Sequence, residues 1–241
     1  MIKRNAFTLI ELLVVIAVLA LLVAILAPAL QTARKRSQAV VCLSNERQWG
    51  NFFGLYLNDH KGKFTGLGFH KWMDLLDKYA DQAPKIYFCP SATQLRSQGG
   101  QDPFAAWEED GRKGSYGTNY WIRDEAYPYL PPQYPRDGWI TNFNVKGADR
   151  IPLLLDSAWP SGLPLHEDPP PEYDGQISTF DELKCMRFFC LDRHNHAVNG
   201  LFMDFSARRI PLKQLWELPW HRNWNRLSDP PPEWPDWMAD F

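Results

Sequence analysis

The chain has 241 residues, 45% apolar and 22% charged, which suits a molecule with a sizeable core and excludes a disordered or collagen-like one. Lysine and arginine total 26 against 28 aspartate and glutamate, a net charge of −2, and neither half is strongly basic. A phosphate backbone demands a dense cationic stripe, so nucleic acid is not an expected partner. Strong hydrophobicity is confined to the first thirty or so residues, which excludes a multi-span membrane protein, while most of the 20 prolines and 11 tryptophans fall in the remainder.

The N-terminus opens Met1-Ile2-Lys3-Arg4-Asn5-Ala6, short and basic, and from Phe7 to Leu30 the only ionisable side chain is Glu11. Leu12 to Leu30 is an uncharged run of 19 residues. At a helical rise it spans roughly 28 Å, about one bilayer core. It is too long for the apolar heart of a cleaved secretory signal, about 7–15 residues. A single membrane-anchoring helix is the direct reading. Charge leaves its orientation open, because Lys3 and Arg4 precede the span and Arg34, Lys35 and Arg36 follow it.

Glu11 is out of place in such a segment. A carboxylate there costs at least about 2.5 kcal/mol, so it calls for a partner or a purpose. The span contains no lysine or arginine. A cut just before Phe7 would create an α-amino group one helical turn away, and in an assembly a neighbouring copy could supply the same amine. The alternative is a carboxylate near the interface that snorkels or is protonated.

Lys3-Arg4-Asn5-Ala6 followed by Phe7-Thr8-Leu9-Ile10-Glu11-Leu12-Leu13-Val14-Val15-Ile16 resembles the type III signal sequence of type IV pilins and type II secretion pseudopilins. The resemblance implies cleavage between Ala6 and Phe7 by a prepilin peptidase on the cytoplasmic side, with N-methylation of Phe7. It makes Glu11 the assembly glutamate at the fifth mature position. Pro28 becomes the helix-loosening proline at mature position 22. Ala6 stands where the family usually has glycine, so slower processing is expected. Pilin-like subunits and an inner-membrane assembly machinery follow as implied partners.

Beyond Pro28 the chain stays helix-compatible for more than 50 residues, with Ala33, Val40, Val41, Leu43, Trp49, Phe52, Phe53 and Tyr56 as an apolar stripe. One long helix is expected over 7–58, membrane-spanning over 7–30 and loosened at Pro28. Asn58-Asp59-His60-Lys61-Gly62 supplies its stop. A second helix is expected at His70–Ala80. Strands are expected at Lys85–Cys89, Ser115–Ile122, Ile151–Asp156, Met186–Asp192, Ala197–Asp204 and Ala207–Pro211. Proline clusters at 131–132, 169–171 and 230–232 mark extended surface loops. The expected fold is α+β: a leader of residues 1–6, a long N-terminal helix packed on an antiparallel sheet, and a body over 59–241 with long proline-rich loops and a Trp/Pro-rich tail over 212–241.

The four cysteines include no C-x-x-C pair, so local spacing argues against structural zinc. Cys42 lies on the long helix and Cys89 ends an expected strand. A disulfide between them would clip strand to helix in an oxidising compartment, worth roughly 2–4 kcal/mol. The alternative is two buried free thiols. Cys185 and Cys190, five apart, would lie on opposite faces of a strand and so would not pair with each other.

Near the C-terminus, His194, His196 and Asp204 are three metal-capable side chains, which admits a membrane-tethered metal-dependent hydrolase as a rival reading. No HExxH, nucleophile elbow or P-loop accompanies them. A strand, a turn through Asn195 to Gly200, a second strand and then Asp204 capping the next turn is the simpler account. The same stretch resembles the H-x9-D-G segment of a large pilin-like family, through His194 and Asp204, with Phe205 in place of the glycine. Cys42-Leu43-Ser44-Asn45, Tyr87-Phe88-Cys89-Pro90-Ser91, Ser115-Tyr116-Gly117-Thr118-Asn119 and Leu155-Asp156-Ser157 also resemble pieces of that family. Trp216, Trp220, Trp224, Trp234 and Trp237 crowd the tail. They suit a tail pinned to the body, a subunit interface, or a carbohydrate-binding module using Trp220.

The leading expectation is a non-enzymatic filament subunit, a pilin or pseudopilin without a cofactor. It would be anchored once in a bacterial inner membrane, with a cytoplasmic N-terminus and its body in the periplasm or on a filament.

Overall fold

The computed structural model describes residues 9–64, 71–80, 84–123, 140, 143–177, 184–224 and 233–241. Helix α1 runs over Leu9–Asp59, unbroken through Pro28, whose carbonyl accepts the Thr32 hydroxyl at 3.1 Å. The chain divides into two units, Met1–Ser37 and Gln38–Phe241. In the first, α1 is apolar on every side up to Leu30, and its leucines, isoleucines and valines are exposed. It is one helix long and apolar enough to cross a membrane.

In the second unit, α1 turns a narrow face inward: Cys42, Asn45, Glu46, Trp49, Gly50, Phe53, Tyr56 and Leu57. Val40 and Val41, assigned to the stripe by their apolarity, are exposed instead. The helical period selects 42, 45 and 46, so three polar or weakly polar residues enter the interior in their place. The helix ends where Lys61 and Gly62 adopt positive φ (55° and 75°), with the Gly62 N–H donating to the Leu57 carbonyl at 2.8 Å. Helix α2 (Lys71–Ala80) buries Trp72, Met73 and Leu76.

The strands are β1 (Gln94–Leu95), β2 (Ala105–Glu109), β3 (Arg112–Gly114), β4 (Tyr116–Asn119), β5 (Pro152–Asp156), β6 (Ser161–Gly162), β7 (Ala197–Phe202) and β8 (Ala207–Pro211). One sheet has the order β1-β2-β3, the other β6-β4-β5-β7-β8. The larger sheet is mixed rather than purely antiparallel, because β6 pairs parallel to β4 at its edge. Asp110 and Gly111 close the β2–β3 hairpin with φ of 45° and 76°, the conformation that Asp-Gly supplies in a two-residue turn.

Two segments read as strands are 3₁₀ turns, Pro84–Tyr87 and Cys185–Phe188. Short apolar runs do not distinguish strand from turn, and here local bonds replace a ladder. Phe189 and Cys190 donate back to the Met186 carbonyl, and the Asp168 carboxylate accepts the Met186 N–H. The argument from strand faces therefore does not apply to Cys185 and Cys190, which are separate buried thiols.

The body buries two cores. Trp49, Phe53, Trp72, Leu76, Trp107 and Leu201 form one. Leu155, Val198, Phe202, Phe189, Trp216, Trp220 and Met238 form the other. Successive β7 residues Leu201 and Phe202 enter different cores, as the two-residue period of a strand dictates. The tail supplies the second core: Trp220 is wholly buried, Trp216 donates to the Asp168 carbonyl, and Trp237 donates to the Pro171 carbonyl. The Pro169–Pro171 segment lies beneath that tail, with Pro170 and Pro171 buried rather than on a surface loop. Clusters 131–132 and 230–232 lie outside the described residues.

Candidate functional site

Four distant segments of the body bring one side chain each to a single buried point: Cys42, Cys89, Asp156 and His194, whose donor atoms all lie within 4.8 Å of one another. Cys42 comes from the inward face of α1. Cys89 follows the 3₁₀ turn, its N–H held by the Ser115 hydroxyl. Asp156 ends β5, where Oδ2 accepts the Asn199 N–H of neighbouring β7 at 2.9 Å. His194 precedes a turn in which Asn195 and His196 both adopt positive φ (57° and 64°), with the His194 N–H donating to the Ala197 carbonyl. That turn sends His194 inward and leaves His196 outside.

The contacts are close. His194 Nε2 lies 3.1 Å from Asp156 Oδ2 and 3.4 Å from Cys89 Sγ. Cys42 Sγ lies 3.4 Å and 3.6 Å from the two Asp156 oxygens. Tyr116 donates its hydroxyl to Cys42 Sγ at 3.4 Å and accepts from Asn45. Arg193 is wholly buried beside the cluster, 3.6 Å from Asp156 Oδ1, and its guanidinium donates to the carbonyls of Pro103, Ala105, Ser115 and Ser157. Glu46 follows Cys42 by one helical turn and has no solvent exposure. Neither of its oxygens has a hydrogen-bond partner among the described residues.

Burial and charge compete at each group. Burial opposes ionisation of Asp156, but His194, Arg193 and the Asn199 N–H outweigh it and hold the carboxyl at about 2. Burial likewise opposes charge on His194, and Asp156 overcomes it, raising the imidazole to about 10. Glu46 has no such compensation: burial, then Asp156, then Cys89 push it well above its ordinary value, which favours the uncharged acid. Burial raises Cys42, with the Cys89 and Asp156 interactions adding to the effect. Cys89 is buried too, but bonds from Cys42 and His194 bring it down to about 7.

Cys42 and Cys89, for which the sequence suggested a bridge, stand here as two thiols engaged by a carboxylate and an imidazole. The set His194, His196 and Asp204 is not brought together. His196 is half-exposed, 3.1 Å from Asp192 and packed on Phe241. Asp204 is exposed in the β7–β8 turn, where its carboxylate accepts from the Ser206 N–H and hydroxyl. Phe205 takes the positive φ (64°) that glycine would have provided. Trp220, offered for sugar stacking, has no exposed face. Asp156, Glu46 and Arg193 were not singled out as site residues. The only sequence signal for Asp156 was its place in the Leu155-Asp156-Ser157 piece.

The other region with functional chemistry is the N-terminal segment. Glu11 lies in the first turn of α1 as described, within the exposed apolar stretch. Ala6 and Phe7 lie outside the described residues.

Residues 1–27 match the family model of the prokaryotic N-terminal methylation motif. The chain therefore carries a pilin-type methylation motif, which takes in most of the apolar part of α1. No curated protein and no solved structure gives a significant match. The motif ends one residue before Pro28, so the body is read from its own chemistry.

Proposed function

We propose that the protein is a structural, non-catalytic subunit of a type IV pilus or type II secretion filament. The observation that carries this reading is the methylation motif over residues 1–27 on an exposed apolar helix whose first described turn holds Glu11. A prepilin peptidase cuts between Ala6 and Phe7 and methylates the new amine. Until assembly the membrane stores the subunit, anchored by the apolar part of α1, with its N-terminus cytoplasmic and its body outside the cytoplasm. On assembly the Phe7 amine of one subunit meets Glu11 of another in a low-dielectric setting, where opposite charges attract strongly. The apolar helices exchange lipid for one another, and Pro28 loosens the helix to let them pack.

The test is the intact mass and N-terminal sequence of the membrane-extracted protein. Loss of Met1–Ala6 with a gain of about 14 Da for one methyl group supports the reading. An intact leader on natively produced, unassembled protein rejects it.

A further inference from the structure

We propose that Cys42, Cys89, Asp156 and His194 form a closed binding site for one zinc-class divalent cation. Two thiols, an imidazole and a carboxylate are the donor types that zinc takes, and four of them complete a tetrahedron. The spacing fits. Metal–sulfur bonds of about 2.3 Å and metal–nitrogen or metal–oxygen bonds of about 2.0–2.2 Å put neighbouring donors about 3.4–3.8 Å apart. His194 to Cys89 and Cys42 to Asp156, both 3.4 Å, meet that spacing; His194 to Asp156, at 3.1 Å, is a few tenths of an ångström shorter, and every donor lies within 4.8 Å of the rest.

Charge and burial point the same way. All four ligands are buried, so the site has no open position for water and belongs to the structural rather than the catalytic kind. A divalent cation balances two thiolates, and Arg193 balances the Asp156 carboxylate, which leaves the interior neutral. Glu46 is a second, independent sign. It is a fully buried carboxyl group one turn from Cys42, with no hydrogen-bond partner among the described residues. A Cys42–Cys89 disulfide would use two of the four ligands and leave Glu46, Asp156 and His194 unexplained.

Loading releases the thiol protons of Cys42 and Cys89 and one ring proton of His194 to solvent. The bound cation ties α1 to the end of β5, to the segment before β7 and to the Cys89 turn. It forms only when these elements are assembled, so it stabilises the folded body by mass action. The proposal stands whether or not the chain polymerises.

The experiment uses the full chain, grown with zinc, extracted in detergent and purified under reducing conditions without chelator. Elemental analysis should find one zinc per chain, lost in His194→Ala and in Cys89→Ser and retained in His196→Ala. Because a ligand variant can misfold, the wild-type chain is also stripped with chelator and reloaded with Co²⁺. Tetrahedral ligand-field bands with thiolate-to-cobalt charge-transfer absorption are the expected signature, and the thermal midpoint should rise on reloading. A folded, reduced wild-type chain that takes up neither metal overturns the proposal, as does a cobalt spectrum without the thiolate band. A natively isolated chain with a Cys42–Cys89 disulfide that stays metal-free after reduction overturns it too.

Discussion

His194 and Asp156 form an ion pair, 3.1 Å from Nε2 to Oδ2, with both side chains closed off from solvent. Arg193 adds a second buried cation at 3.6 Å, so the one carboxylate is shared between two positive groups. Removing one partner of a buried pair typically costs about 3–5 kcal/mol, because the charge left behind has no solvent to relieve it. Asp156→Ala is therefore expected to destabilise the body by that amount. Urea unfolding of the detergent-extracted chain measures it. A loss below about 1 kcal/mol, the value of an exposed pair, would show that solvent reaches the site.

Asp168 gives the body a pH dependence of its own. Its Oδ2 accepts the Leu165 and Met186 N–H groups at 3.1 Å and 2.9 Å, yet burial outweighs both bonds and raises the carboxyl from 3.8 to about 7. Folding therefore favours the protonated acid. The stability this confers is complete below about pH 4 and is lost as pH rises through about 7, a change on the order of 4 kcal/mol. Asp168→Asn keeps an acceptor for both N–H groups and cannot ionise. Its urea midpoint should exceed that of the parent chain above pH 7, and the gap should close towards pH 4; parallel profiles would contradict the burial effect.

Phe205 explains why a glycine is not required in the β7–β8 turn. Its ring packs over Gly54 of α1, 3.5 Å from where a Cβ would stand, and stacks on Phe143 at 5.1 Å. At Gly50 a Cβ would lie 2.9 Å from Leu201 Cδ1, which must then move. Alanine recovers about 1 kcal/mol of helix propensity at either position, while overpacking costs about 1–3 kcal/mol. Gly54→Ala should raise the thermal midpoint and Gly50→Ala should lower it or leave it unchanged. A lower midpoint for Gly54→Ala would mean that the Phe205 ring has no room to accommodate a methyl group.

The parts of the fold legible in the sequence were those written in local periodicity. The long helix, α2, and the strands at 152–156 and 197–202 follow from stretches rich in apolar residues; the strand expected at 207–211, Ala-Arg-Arg-Ile-Pro, is present too. The β2–β3 hairpin carries a local signal as well, its Asp110-Gly111 turn. The cluster was illegible for a different reason. Its ligands stand at 42, 89, 156 and 194, and only the tertiary fold brings them together. Spacing rules seek pairs such as C-x-x-C or H-x-H within one element, and here they point to His196, which a turn of two left-handed residues leaves outside, and to Asp204, which is exposed in the β7–β8 turn. The sequence pieces that resemble a pilin-like family lie around the cluster. Four of them contribute one residue each to the cluster, and Tyr116 of a fifth donates to Cys42.

On the proposed reading, Glu11 is where anchoring and assembly can be told apart. It is the one ionisable residue between Phe7 and Leu30, and α1 presents it in the exposed apolar stretch. Replacing it with valine makes the segment more apolar, so insertion in the membrane should be at least as efficient in Glu11→Val as in the parent chain. Assembly should suffer, because an amine from a neighbouring subunit, once out of water, would find no counter-charge. An unpaired buried charge costs about 3–5 kcal/mol, enough to lower the association constant at each step by at least a hundredfold. The expected outcome is normal membrane recovery, normal loss of the leader, and sheared-filament yield reduced to background. Glu11→Asp keeps the charge on a shorter arm and should fall between the two. Filament yield from Glu11→Val equal to that of the parent would remove the ionic step from the mechanism and leave helix packing alone to drive assembly.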